Sequence, residues 1–98
     1  MTKVMCKIEN DDTKMDGSIY FDCMNHAGKK DVCIICSTLC KVLLEAWKRA
    51  DKGNCQISDG HVRFNIDDAD GHLLETFTCV MEVFKEVSEE FPEYCKLY

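Results

Sequence analysis

Ser18-Ile19-Tyr20-Phe21-Asp22-Cys23-Met24-Asn25-His26-Ala27-Gly28-Lys29-Lys30-Asp31-Val32-Cys33-Ile34-Ile35-Cys36-Ser37-Thr38-Leu39 is the stretch that decides the fold, because the hydrophobic period changes inside it. Ile19, Phe21 and Cys23 alternate with Ser18, Tyr20, Asp22 and Met24. Period two is a strand with one buried face. After a short loop, Asn25 to Lys30, Asp31 is placed to cap a helix. From Val32 to about Ala50, Val32, Ile35, Cys36, Leu39, Leu43, Ala46 and Trp47 recur at helical spacing. Lys48 and Arg49 suit the negative end of that helix, and Gly53 suits its stop.

The same periods extend outward in both directions. Upstream, Val4, Cys6 and Ile8 alternate with Lys3, Met5, Lys7 and Glu9, which predicts a first strand. Glu9 to Gly17 is polar and turn-like. Downstream, Cys55 and Ile57 form one short strand and Val62, Phe64 and Ile66 another, and Asp59-Gly60 between them is a tight-hairpin signal. Asp67 to Gly71 reads as a polar loop and helix entry. Leu73, Phe77, Val80, Met81, Phe84, Val87 and Phe91 make a second helical stripe that Pro92 ends, and the tail Tyr94 to Tyr98 has room for a short edge strand. The expected architecture is a small α+β two-layer sandwich. Its order is β-β-α-β-β-α, with a four-stranded sheet and two long helices. At 98 residues it is one domain, 1–98.

Composition narrows the function classes. The chain is 46% hydrophobic and 31% charged, an ordinary globular balance. Its net charge of -6 opposes the basic face that direct nucleic-acid binding requires. Eight cysteines in 98 residues approach the density of a secreted disulfide scaffold. The N-terminal stretch, however, has no apolar segment of signal-peptide length before Glu9, and the longest apolar run, Val32 to Cys36, is far short of a membrane span. The expectation is a cytoplasmic chain with reduced thiols and no membrane contact. Most of its cysteines then act as small apolar core residues. Cys6, Cys23 and Cys55 fall on inward strand positions and Cys36 on the helical stripe, while Cys79 and Cys95 have no evident role.

Candidate chemistry sits where the first helix begins. Cys33 is the second residue after the expected cap, and a helix start favours a thiolate through its free N–H groups and dipole. Lys29 and Lys30 add positive potential. His26 lies seven residues upstream on a loop able to fold back, which would complete a thiol–imidazole pair for nucleophilic catalysis. First-turn amides could serve as an oxyanion hole. Ser37, four residues past Cys33, shares its helix face. On spacing alone a helix-start cysteine in such a chain is more often core.

Cys33-Ile34-Ile35-Cys36 is also a C-x-x-C, so a redox or zinc-binding module is a competing class. The β-β-α order does not supply a thioredoxin context. Cys40, His61, His72 and Cys79 are scattered singly and not at the spacing of a second zinc-ligand pair. A calcium loop over Asp67 to Gly71 would need Ile66 and Phe77 as ligands and is rejected, and no glycine-rich nucleotide motif occurs. No metal or cofactor is expected.

Asn25-His26-Ala27-Gly28, then Asp31-Val32-Cys33, then Ser37 and Leu39, resembles the Prp family of ribosomal-processing cysteine proteases, also called YsxB-like. The element order, Gly60-His61 in the hairpin and the terminal Glu89-Glu90-Phe91-Pro92-Glu93-Tyr94 extend the resemblance along the chain. It implies a cysteine endopeptidase that removes a short N-terminal extension from a bacterial large-subunit ribosomal protein. Cys33 would be the nucleophile and His26 the base, with Ser37 and Asp31 in supporting positions. Ala27, Gly28, Lys29 and Lys30 would form the substrate loop, and the protein would be a homodimer. Asn25 replaces the family's glycine, the loop from His26 to Cys33 is several residues shorter, Asp31 is two rather than three residues before Cys33, and Ile34 and Ile35 replace small residues. These departures leave open a phage or prophage paralog with another protein substrate, or an inactive relative.

Overall fold

The computed structural model describes residues 1–10 and 17–98. The turn expected between Glu9 and Gly17 therefore lies mostly outside the described residues. Seven elements follow one another: β1 (Thr2–Asn10), β2 (Gly17–Met24), α1 (Lys30–Ala50), β3 (Asn54–Ser58), β4 (His61–Ala69), α2 (Gly71–Glu90) and β5 (Cys95–Leu97). The sheet order is β3-β4-β2-β1-β5. β1, β2, β4 and β3 pair antiparallel, and β5 runs parallel to β1.

The α+β class and both helices agree with the sequence, but the sheet has five strands rather than four. The tail closes the outer edge of β1, where Thr2 donates its N–H to Tyr94 O at 2.9 Å and Tyr98 donates to Val4 O at 2.9 Å. Three residues are too few for alternation to declare a strand. It is the free edge of β1 that orders them.

Register explains the core. Ile19 pairs with Ile66, Phe21 with Phe64 and Cys23 with Val62, so one sheet face is apolar across both central strands. Onto it pack Val32, Cys36, Cys40 and Leu43 of α1 and Leu73, Phe77, Val80, Phe84 and Val87 of α2. Phe64 and Phe77 meet edge-on at 5.4 Å between ring centroids, and Phe21 meets Phe77 edge-on at 6.0 Å. The opposite face carries Tyr20, Asp22 and Met24 beside Asn65, Arg63 and His61.

Three local readings change. The stop of α1 is Asp51, which takes the left-handed conformation at φ 51°, and not Gly53. Gly53 answers a close approach instead: a Cβ there would lie 2.7 Å from Asn65 O and 2.8 Å from Ile66 Cα. Asp67 to Ala69 continues β4 rather than forming a loop, since Ala69 is fully buried opposite Gly17. Finally, α1 begins one residue before Asp31. Its cap is Lys29, in extended conformation at φ -134° and ψ 127°, with no side-chain capping bond. The Lys29 ammonium lies 5.5 Å from the centroids of both Phe91 and Tyr94, which holds this residue at the helix start.

Candidate active site

A cavity of about 310 Å³ opens between the start of α1 and the β3–β4 hairpin. It is lined by His26 and Ala27 from the loop after β2, by Cys33, Cys36, Ser37 and Cys40 from α1, and by Ile57, Gly60, His61 and Val62 from the hairpin. The walls are mostly apolar with a few polar groups, as in many ligand pockets.

The path of the chain puts His26 there. Asn25 adopts φ 72°, a sharp reversal directly after β2, and donates its N–H to Gly60 O at 2.7 Å. The Asn25 carbonyl accepts from Thr2 Oγ1 at 3.0 Å, and the His26 carbonyl accepts from the N-terminal ammonium at 3.1 Å. The His26 ring is exposed, with Nε2 at 3.5 Å from Asp59 Oδ1. Among the described residues it makes no hydrogen bond to Cys33.

Cys33 is the fourth residue of α1, not the second, and is half-buried. Its N–H already donates to Lys29 O at 2.9 Å. The first-turn donors ahead of it, at 30–32, are the amides an uncapped helix leaves over. Asp31 stands in this turn as an exposed carboxylate at the positive end of the helix dipole. Ser37 is exposed on the cavity wall one turn beyond Cys33.

Of the residues singled out in the sequence, Cys33, His26, Ser37 and Ala27 come together. Asp31, Gly28, Lys29 and Lys30 do not line the cavity. Lys30 belongs to the helix, and Lys29 faces the aromatic pair at the end of α2.

Four of the other cysteines are held protonated by their surroundings. The Cys23 thiol is hydrogen-bonded to Cys40 and that of Cys36 to Cys95, and with burial these contacts push Cys23 and Cys36 well above the ordinary thiol range. Burial raises Cys6 to about 11 and lifts Cys55 as well. Such thiols stay protonated and inert at neutral pH. Among the described residues, no group of three or more His, Cys, Asp or Glu side chains gathers in a way that could hold a metal ion.

Asp22 is a feature the alternation did not reveal. It falls on the polar sheet face yet is only 3% exposed. His61 Nε2 lies 2.5 Å from its Oδ1, and Arg63 donates to Oδ2 at 3.1 Å and Tyr20 at 3.2 Å. This cluster closes over one carboxylate and so fixes β4 against β2 just below the hairpin. Only the register, which sets Asp22 opposite Arg63, could have predicted it.

No family model matches the chain, and no curated relative matches it in sequence. Solved structures do. The essential ribosomal processing protease Prp from S. aureus, solved with a covalently linked product peptide, superposes with a TM-score of 0.77 at 18% identity, covering 99% of this chain and 97% of that one. SMU.848 from Streptococcus mutans superposes with a TM-score of 0.71 at 20% identity, covering 99% and 91%. The resemblance to Prp drawn from the histidine–cysteine stretch thus holds for the fold over the whole chain.

Proposed function

We propose that this protein is a cysteine endopeptidase of the Prp type, with Cys33 as nucleophile and His26 as general base. The observation that carries the reading is that His26, from the loop after β2, and Cys33, from α1, line one open cavity together with Ser37. Likeness of fold to a protease that holds a covalently linked product peptide supports it.

The chemistry follows from the residues. His26 takes the Cys33 proton, and the sulfur attacks the scissile carbonyl to form a tetrahedral intermediate. Free amides in the first turn of α1 are the donors available to the developing oxyanion. Protonated His26 returns its proton to the leaving amine, giving an acyl-enzyme thioester. It then activates water to hydrolyse that thioester. These steps use only the thiol, the imidazole and water. Ser37 orients the substrate or the imidazole from the cavity wall, and Asp31 acts at the helix start. Ala27, Gly28, Lys29 and Lys30 flank the substrate where it enters.

The substrate in this reading is a ribosomal protein precursor, cut behind a short N-terminal extension. Residues 1–98 act as one protease domain, in the cytoplasm and as a homodimer. Among the described residues, no helix is long and apolar enough to cross a membrane. The test is incubation with peptides spanning such an extension, comparing the native protein with Cys33→Ala and His26→Ala. The expected result is cleavage by the native protein only. Cleavage that survives Cys33→Ala contradicts the mechanism. Fast alkylation of Cys33 without cleavage of any such peptide keeps the nucleophile and rejects the substrate.

A further inference from the structure

We infer that Asp59 and Gly60, at the tip of the β3–β4 hairpin, form a seat that orients His26, so that Nδ1 and not Nε2 is the nitrogen facing the Cys33 proton. The inference rests on the proposed Cys33–His26 pair, and it names a positioning residue, Asp59, outside the histidine–cysteine motif.

Four observations meet at the hairpin. His26 Nε2 stands 3.5 Å from Asp59 Oδ1. The same edge of the ring lies over Gly60: a Cβ on that residue would sit 3.2 Å from Nε2, 3.4 Å from Cδ2 and 3.9 Å from Cε1. Gly60 itself has φ 71°, a conformation the turn requires and glycine accepts. The backbone on the other side is tied down by the bond from Asn25 N–H to Gly60 O at 2.7 Å. The Nε2 edge of the imidazole is therefore occupied by the hairpin, and the Nδ1 edge is the one left over.

Proton bookkeeping completes the argument. A neutral imidazole has one N–H and one lone pair. A carboxylate 3.5 Å from Nε2 favours the proton on that nitrogen through its charge, without a formed hydrogen bond, and so leaves the lone pair on Nδ1. When Nδ1 takes the thiol proton, the ring becomes a cation with the Asp59 carboxylate still beside its Nε2–H. Asp59 changes neither its own proton count nor its bonds. The pair is solvent-exposed, with side chains 68% and 100% accessible, so it adds little to folding and its variants keep the fold.

The experiment reads the His26 ring nitrogens by 15N NMR under alkaline conditions where the ring is neutral, with the resonance assigned through His26→Gln. The native protein should show the Nε2–H tautomer. Asp59→Ala should shift the ring toward a mixture and lower kcat about tenfold with KM unchanged, a fraction of the ~10²–10⁴ that a positioned acid–base contributes. Asp59→Asn, which keeps an acceptor oxygen, should hold the tautomer and recover part of kcat. A native Nδ1–H tautomer, or a tautomer and kcat both indifferent to Asp59→Ala, overturns the inference. If the tautomer depends on Asp59 but Cys33→Ala still cleaves, the seat stands and the protease mechanism fails.

Discussion

The two long helices start in opposite ways. α2 begins at Asp70, whose carboxylate accepts the Leu73 N–H at 2.9 Å, so a side chain occupies one of the donors of its first turn. α1 begins at Lys29, with no side chain bonded to its amides, although Asp31 stands two residues away. Lys29 is kept there by Phe91 and Tyr94 and not by capping. The first start serves stability alone. The second leaves the amides of its first turn without a side-chain acceptor, in the turn before Cys33. A helix end without its cap gives up about 1 kcal/mol, and under the proposed mechanism that loss keeps amides open to the oxyanion.

Variants at the two starts test the contrast. The largest effect belongs to Cys33→Ala, which removes peptide cleavage while the far-UV circular dichroism and urea midpoint stay near native. A collapse of the fold would make Cys33 a packing residue like Cys36.

Alkaline pH comes next. Cys6, Cys23, Cys36 and Cys55 all hold their protons more tightly folded than unfolded. Their contribution to stability is fully present below the unfolded thiol value of about 8.5 and is lost as pH rises through the folded values, that of Cys6 being about 11. Cys95, lowered by its bond with Cys36, acts in the opposite direction, so under reducing conditions the urea midpoint should fall across that window by the surplus of the four raised thiols. A flat profile would mean the thiols are not held in this way.

Asp70→Ala should cost about 1 kcal/mol in urea unfolding and leave the alkylation rate of Cys33 unchanged. A change in that rate would couple the two helix ends. The smallest effect is expected of Lys29→Asp, which places a carboxylate where α1 has none and competes for its free amides. Alkylation of Cys33 should slow by a few-fold, and unchanged kinetics would show that those amides do not act on the thiol.

Much of the fold was legible in the sequence, but the contrast between the helix starts was not. Period two and period 3.6 located both helices and four strands, and the histidine, cysteine and serine spacing picked out residues that share the cavity. Asp31 misled because a good capping residue was read as the cap, whereas the aromatic pair at the far end of α2 holds Lys29 in that place. β5 has no strand pattern of its own, because its order comes from the edge of β1. Asp59 and Gly60 were read as a hairpin turn, and their contact with His26 depends on a long-range approach that no local pattern encodes. Asp22 escaped for the same reason.

The most direct measurement of the central claim is the alkylation rate of each cysteine in the native protein at neutral pH, resolved by peptide mapping and repeated with His26→Ala. Cys33 should react fastest of the eight, ahead of the exposed Cys79, and should slow when His26 is removed. If Cys79 reacts first and Cys33 is indifferent to His26→Ala, the cavity holds an ordinary thiol and the account is wrong.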